Sequence, residues 1–317
     1  MNHLESTFTG KNSLWRYVVM ITAVFLVSNT IGSLPLLTGL LIKSLSNPDV
    51  FTLFAANPND YTITGFSLNT LLVLMLFPFI AGLAAIILLI RPLHSRTINS
   101  VINGTSRIRW NRFFISFIVW LGLSELYLIF YLKVSPGNFS LNNDSFSVII
   151  LAIISFTLIP FQAGFEEILF RGYLMQGFTA ILRYRWFPLI MTSVLFGLMH
   201  TLNPEVRTYG FLTMMPQYIL FGLIFGTITI LDDGIEASMG AHAANNIFLC
   251  VMVTSKSSAL QTAAVYEQQN IYPWIELTAL MATGIIFILI LKMIFKWKDL
   301  SVLYGIVPKP LNSGTVN

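Results

Sequence analysis

Apolar residues along this chain fall in long unbroken runs, not in the three-four spacing of a soluble helix or the alternation of a half-buried strand. Eight such runs lie near 17–42, 65–90, 113–132, 146–168, 187–201, 211–231, 237–254 and 273–295. About 20 apolar residues in a helix span the roughly 30 Å hydrocarbon core of a bilayer, and in lipid only a helix satisfies its own backbone polar groups. The pattern predicts an all-α fold, a polytopic membrane bundle of about eight transmembrane helices. The fifth run is the shortest. The first is longer than a signal-peptide core and no small-residue cleavage pattern follows it, so it reads as a retained anchor. The polar connections 43–64, 91–112 and 255–272 are too short to bury a core of their own and read as loops.

Composition agrees: 55% hydrophobic and 10% charged residues, with a mean hydropathy of +0.75, exclude a soluble protein and make the lipid bilayer the main partner. The lone Cys250 rules out an intrachain disulfide and a cysteine metal cluster. The net charge of +4 does not indicate nucleic acid, because the basic residues sit in connections between apolar runs. Of the 18 Lys and Arg, only Lys43, Lys133, Arg207 and Lys256 fall on one side of an eight-span topology, and the other fourteen, Lys298 among them, fall on the side of both termini. The positive-inside rule then makes both termini cytoplasmic. One membrane domain is expected. Along it, 1–145 holds unassigned N-terminal helices, 146–254 a functional core, and 255–317 a final helix and cytoplasmic tail.

Ionisable groups inside membrane helices are expensive and mark functional sites. Here they gather between 166 and 246. Glu166-Glu167-x-x-x-Arg171 ends the fourth run; on a helix Glu167 and Arg171 meet at i,i+4 while Glu166 faces about 100° away. Phe196-x-x-x-His200 ends the fifth run, and His242-x-x-x-Asn246 lies in the seventh, with small alanines between. A turn near Tyr184 places Glu166 about 27 Å before it and His200 about 24 Å after it at 1.5 Å per residue, so antiparallel helices bring the two level. His242 starts closer to its own turn. The polar 171–186 segment, with Arg171, Gln176, Arg183, Tyr184 and Arg185, is therefore expected to protrude or to lie amphipathically in the interface.

These groups suit peptide hydrolysis by an activated water. A carboxylate withdrawn from water becomes a better proton acceptor, a role for Glu166 with His200, and side-chain N–H groups of His242 and Asn246 can face a developing oxyanion. Glu167 and Arg171 read first as a structural ion pair. Glu125, mid-way along the third run, is expected first to support packing or the residues around the site, and otherwise to pair with His200 or Arg171 or to line the cavity. Gly222-x-x-x-Gly226 indicates close helix packing, and Trp15, Trp110, Trp186 and Trp274 read as interfacial anchors.

The three motifs, in this order on successive membrane helices, resemble the type II CAAX prenyl endopeptidase family, also called CPBP or Abi, over roughly residues 150–250. The resemblance implies a membrane-embedded CAAX-type endopeptidase in which Glu166 and His200 activate water, His242 and Asn246 stabilise the oxyanion, and Glu167, Arg171 and Phe196 support them. The family carries the label of metalloprotease, and a metal-free glutamate mechanism competes with it. Zinc, if present, would take Glu166, His200 and His242, although the common His-x-x-x-His pairing of zinc peptidases is absent. The implied partner is a peptide or membrane-protein substrate, and the implied location a bacterial plasma membrane. The alternative function is a non-catalytic membrane regulator or bacteriocin-immunity protein of the same family. A proton-coupled transporter would show broken helices in paired halves, and no such repeat is seen.

Overall fold

A computed structural model describes residues 3–56, 61–297 and 299–309, so Lys298 and the tail beyond 309 lie outside the described residues. The helices are α1 (Leu14–Asn29), α2 (Leu34–Ser44), α3 (Val50–Ala56), α4 (Leu68–His94), α5 (Ile98–Ile102), α6 (Trp110–Val134), α7 (Ser145–Glu167), α8 (Met175–Ile181), α9 (Trp186–Met199), α10 (Pro204–Tyr209), α11 (Phe211–Asp232), α12 (Glu236–Val251) and α13 (Pro273–Phe295). A wide π-turn, Ile168–Leu174, joins α7 to α8 without a break. The protein is a polytopic helical bundle and an integral membrane protein.

Six segments are long and apolar enough to cross a bilayer: Leu14–Ser44, Leu68–His94, Trp110–Val134, Ser145–Ile181, Phe211–Asp232 and Pro273–Phe295. The fifth and seventh expected spans are helices, α9 and α12, but with 14 and 16 residues they fall short of a full crossing. For α12 the reason is its place in the bundle. It packs against α6, α7 and α11, and most of its residues are buried. A helix wrapped in protein needs neither lipid-matching length nor an apolar surface all round. Gly240 makes the approach possible, since a Cβ there would strike the backbone carbonyl of Phe113 on α6. Gly222 and Gly226 do the same between α11 and α9, against Ser193 and Leu189, the close packing expected of that motif. The first span is bent between Asn29 and Leu34, where Gly32 sits on Pro78 of α4.

The connections are more than loops. At one end Phe139–Leu141 (β1), Val253–Thr254 (β2) and Tyr266–Gln268 (β3) form a three-stranded sheet of order β1-β3-β2, antiparallel between β1 and β3 and parallel between β3 and β2. At the other end the 91–112 connection supplies α5, with Val101 and Ile102 buried. Residues Glu5–Thr9 form a 3-10 turn that packs on α5 and α8. There Gln176 donates to the carbonyls of His3 (2.7 Å) and Ser100 (2.9 Å), Arg96 donates to the Gln176 side chain and to Ser6 Oγ (3.2 Å), and the His3 ring donates through Nε2 to the Arg171 carbonyl (3.0 Å). So the first half of the 171–186 segment does not lie amphipathically in an interface: Arg171 and Gln176 are buried, Arg171 against Phe196 and Gln176 under the N-terminal residues and α5. Arg185 is buried too, bonded through its backbone to Gly305, while Tyr184 and Trp186 stay exposed. Burial also lowers the pKa of Arg96 to about 10 and that of His3 below the ordinary histidine value.

The α11–α12 turn closes the same end. Asp233 takes a left-handed φ of 56° and Gly234 follows at 159°, while Glu236 at the start of α12 receives Arg109 through Nη2 (2.6 Å) and Nε (3.1 Å). Asp232 accepts from Trp297 Nε1 at 2.9 Å. These bonds fix the base of the helix that carries His242.

Candidate active site

The last turn of α7 brings Glu166 and Glu167 into the interior, 7% and 0% exposed, and the following π-turn adds Arg171 at 0%. Arg171 Nη1 donates to Glu167 Oε1 at 2.8 Å, as the sequence spacing predicts. The guanidinium also lies 4.2 Å from the ring centre of Phe196 and 5.7 Å from that of Phe225, so aromatic faces replace part of its lost hydration. This contact gives Phe196 its place in the second motif: one ring rests on Arg171 and lies 4.6 Å from His200.

The same Glu167 Oε1 meets His242 Nδ1 at 2.8 Å. A carboxylate neutralised by arginine only accepts, so Nδ1 carries the proton and Nε2 keeps the lone pair when the ring is neutral. Nε2 stands 3.5 Å from Glu166 Oε2. That oxygen is buried and has no hydrogen-bond partner within the protein. The sequence assigned His242 to the oxyanion. Its bond to Glu167 leaves Nε2 of the neutral ring an acceptor beside Glu166, while a protonated ring donates from the same atom.

The other Glu166 oxygen ends a chain of amides. Trp120 Nε1 donates to Asn245 Oδ1 (3.3 Å), Asn245 Nδ2 to Asn246 Oδ1 (3.0 Å), Asn246 Nδ2 to Gln162 Oε1 (2.9 Å), and Gln162 Nε2 to Glu166 Oε1 (2.6 Å). Every donor points towards the carboxylate, and such chains polarise one another. Glu166 thus has its partner Gln162 one turn before it. Asn246 spends one amide proton on Gln162 and has a second to offer.

His200 caps α9, and its Nδ1 lies 2.7 Å from the Phe196 carbonyl, which takes that proton and turns Nε2 outwards. Tyr218 stacks on its ring at 4.4 Å. Glu166, His200, His242 and Asn246 all line one cavity of about 530 Å³, with Gln162, Asn245 and Phe196, a size ordinary for small-ligand sites. His200 makes no direct bond to Glu166, whose nearest partners are Gln162 and His242. Glu125 neither pairs with His200 or Arg171 nor lines the cavity. Glu205 and Glu276, absent from the sequence motifs, do line it.

The zinc alternative does not fit. Among the described residues no three of His, Cys, Asp and Glu gather as a metal-ligand set. The bonds of His242 Nδ1 to Glu167 and of His200 Nδ1 to the Phe196 carbonyl leave both Nε2 atoms with lone pairs, so the case against zinc rests on the spacing of the trio and not on the state of its rings.

Comparison with known proteins supports the family reading. Residues 145–248, from α7 through most of α12, match the family described as type II CAAX prenyl endopeptidase Rce1-like. The chain is 30% identical over 260 residues to the uncharacterized protein YyaK of Bacillus subtilis (strain 168), covering 81% of this chain and 84% of that protein. The chain belongs to the Rce1-like family of type II CAAX prenyl endopeptidases. No solved structure matches it. The Rce1-like segment contains all three motifs, whereas the likeness to YyaK extends well beyond it, so the Rce1-like core and its helical surroundings form one shared design.

Proposed function

We propose that this protein is an intramembrane endopeptidase of a bacterial plasma membrane, with both termini cytoplasmic, that hydrolyses a peptide bond with a water activated by Glu166. The observation that carries this reading is the Arg171–Glu167–His242 series ending 3.5 Å from a buried Glu166 oxygen that no protein donor reaches. A carboxylate with one oxygen fixed by Gln162 and the other free towards a cavity is arranged as a general base.

In the proposed reaction a water entering the cavity gives its proton to Glu166 Oε2 as its oxygen attacks the peptide carbonyl. The second amide proton of Asn246 faces the oxyanion. Glu166 then returns the proton to the leaving amine, with His242 Nε2 beside it to share that proton and Glu167 holding the ring in place. His200 lines the same cavity, on the Phe196 ring that also meets His242, and is placed to act on the water with Glu166. Glu167, Arg171 and Phe196 act by positioning. Nothing in this scheme uses a metal, and the substrate is a peptide or the exposed segment of a membrane protein.

The test is cleavage of peptide mixtures by the purified full chain, compared with Glu166→Ala. Products from the wild type and none from a folded Glu166→Ala are expected. A folded wild type that binds peptides and cleaves none would replace this reading by that of a non-catalytic regulator or immunity protein.

A further inference from the structure

The cavity does not open towards the end that carries most of the positive charge. It runs from Glu166 and His242, past Asn246 and Leu249, to Leu202, Glu205, Ser258 and Gln268, which belong to the two connections at the β-sheet end. Its floor is closed by the Glu167–Arg171 pair, both fully buried, and below that by the N-terminal turn bonded to Gln176. Four of the 18 basic residues, Lys43, Lys133, Arg207 and Lys256, are found in the connections at the open end. By the positive-inside rule the mouth is extracytoplasmic.

The lining has a sign as well. Its carboxylates are Glu166, Glu205 and Glu276, and among the described residues no lysine or arginine lines it. Glu205 Oε1 accepts from the Ala259 backbone at 2.8 Å, while its Oε2 is buried without a partner. Burial raises the Glu205 pKa above the ordinary carboxyl value, as expected of an acid with no cation beside it. Glu276 accepts from Tyr127 at 2.9 Å, another neutral donor. An acidic segment, or a free C-terminal carboxylate, would enter such a cavity without a counter-charge, whereas a lysine or arginine would supply the missing one.

Resting on the endopeptidase reading, we propose that the site takes peptide from the extracytoplasmic side, and that the segment it selects carries a basic side chain seated against Glu205 and Glu276. The substrate class is therefore a cationic peptide, or a basic stretch of a membrane protein, that has already crossed the membrane, and cleavage falls inside it, away from a terminal carboxylate.

Two measurements test this without requiring cleavage. The first places single cysteines in a Cys250→Ala background, at Leu202 by the mouth and at Tyr304 by the basic end, both well exposed. A membrane-impermeant maleimide added to intact cells is expected to label Leu202→Cys, and Tyr304→Cys only after permeabilisation; the reverse pattern overturns the orientation. The second measures binding of two labelled peptides that differ only in a central Lys or Glu. The Lys peptide should bind about tenfold or more tightly to the wild type, and Glu205→Gln with Glu276→Gln should bring the two affinities together. Equal affinities for the wild type, or an unchanged preference in folded variants, overturn the charge selection. Each single variant serves where the double variant does not fold. Loss of the peptidase reading would leave both readouts interpretable.

Discussion

The two ends of the molecule are built on opposite principles. At the basic end, buried polar side chains from the N-terminal turn, α5, the π-turn and the α11–α12 turn bind one another: Gln176 reaches His3, Ser6 and Ser100, and Glu236 holds Arg109 by two bonds. At the sheet end the acids Glu205 and Glu276 are held by neutral donors only, around an open cavity. Polar groups that satisfy each other make a rigid floor, and polar groups left short of a partner make a receptor. Glu166 and Glu167 divide along the same line within one peptide unit. Glu167 is committed to Arg171 and His242, while Glu166 keeps one oxygen free.

The contrast breaks most visibly at Arg171. Its replacement by alanine leaves a buried Glu167 carboxylate with only His242, and removing one partner of a buried pair typically costs about 3–5 kcal/mol. Arg171→Ala is expected to lose most folded protein, read by yield and thermal melting in detergent; retention of full stability would show that the floor does not depend on the pair. Gln162→Leu tests the open side instead. It removes the donor to Glu166 Oε1 and the acceptor for Asn246 at a cavity wall where water can replace both bonds, so kcat should fall by about 100-fold, the scale of general-base catalysis, while the melting temperature changes less than in Arg171→Ala. An equal loss in both quantities would erase the distinction between floor and receptor.

A smaller effect is expected from acid. Burial holds the His3 pKa below its ordinary value, so the folded state resists a proton that the unfolded chain takes up below about pH 6.5. Stability from this source is full above that pH and falls as the pH drops through it. Wild type should lose on the order of 1 kcal/mol more than His3→Gln between pH 7 and pH 5, measured as the difference in their melting curves. Parallel curves would mean that the N-terminal turn is not fastened through His3. Last, a strong chelator should leave peptide cleavage within about twofold of its starting rate, as general-base chemistry on Glu166 requires no ion. Loss of activity on chelation, restored by zinc, would overturn the metal-free assignment and keep the peptidase one.

Much of the fold was legible because lipid allows few choices: run length and hydropathy located all eight helical segments. What failed were their roles. α12 is short and only partly apolar because it is wrapped by protein, and no one-dimensional pattern reports which neighbours a helix will have. The i,i+4 rule found Glu167–Arg171. The same rule, applied backwards from Glu166, would have found Gln162, which was overlooked as an uncharged residue. Asn245 needed the third dimension, since its donor is Trp120 on another helix. Glu205 and Glu276 carried no signal beyond being acids near span ends, and the small sheet lay hidden in polar connections.

The π-turn at Ile168–Leu174 makes chain length itself a fixed quantity at one place. A π-turn closes i→i+5 bonds, so it holds more residues than an α-turn. Deleting one residue there would still leave a continuous helix with its backbone bonds made, yet everything downstream would turn by about 100°. Gln176 would swing away from His3 and Ser100 while Glu166 kept its phase. At this single turn the chain's count of residues, more than their identity, keeps the two ends in step.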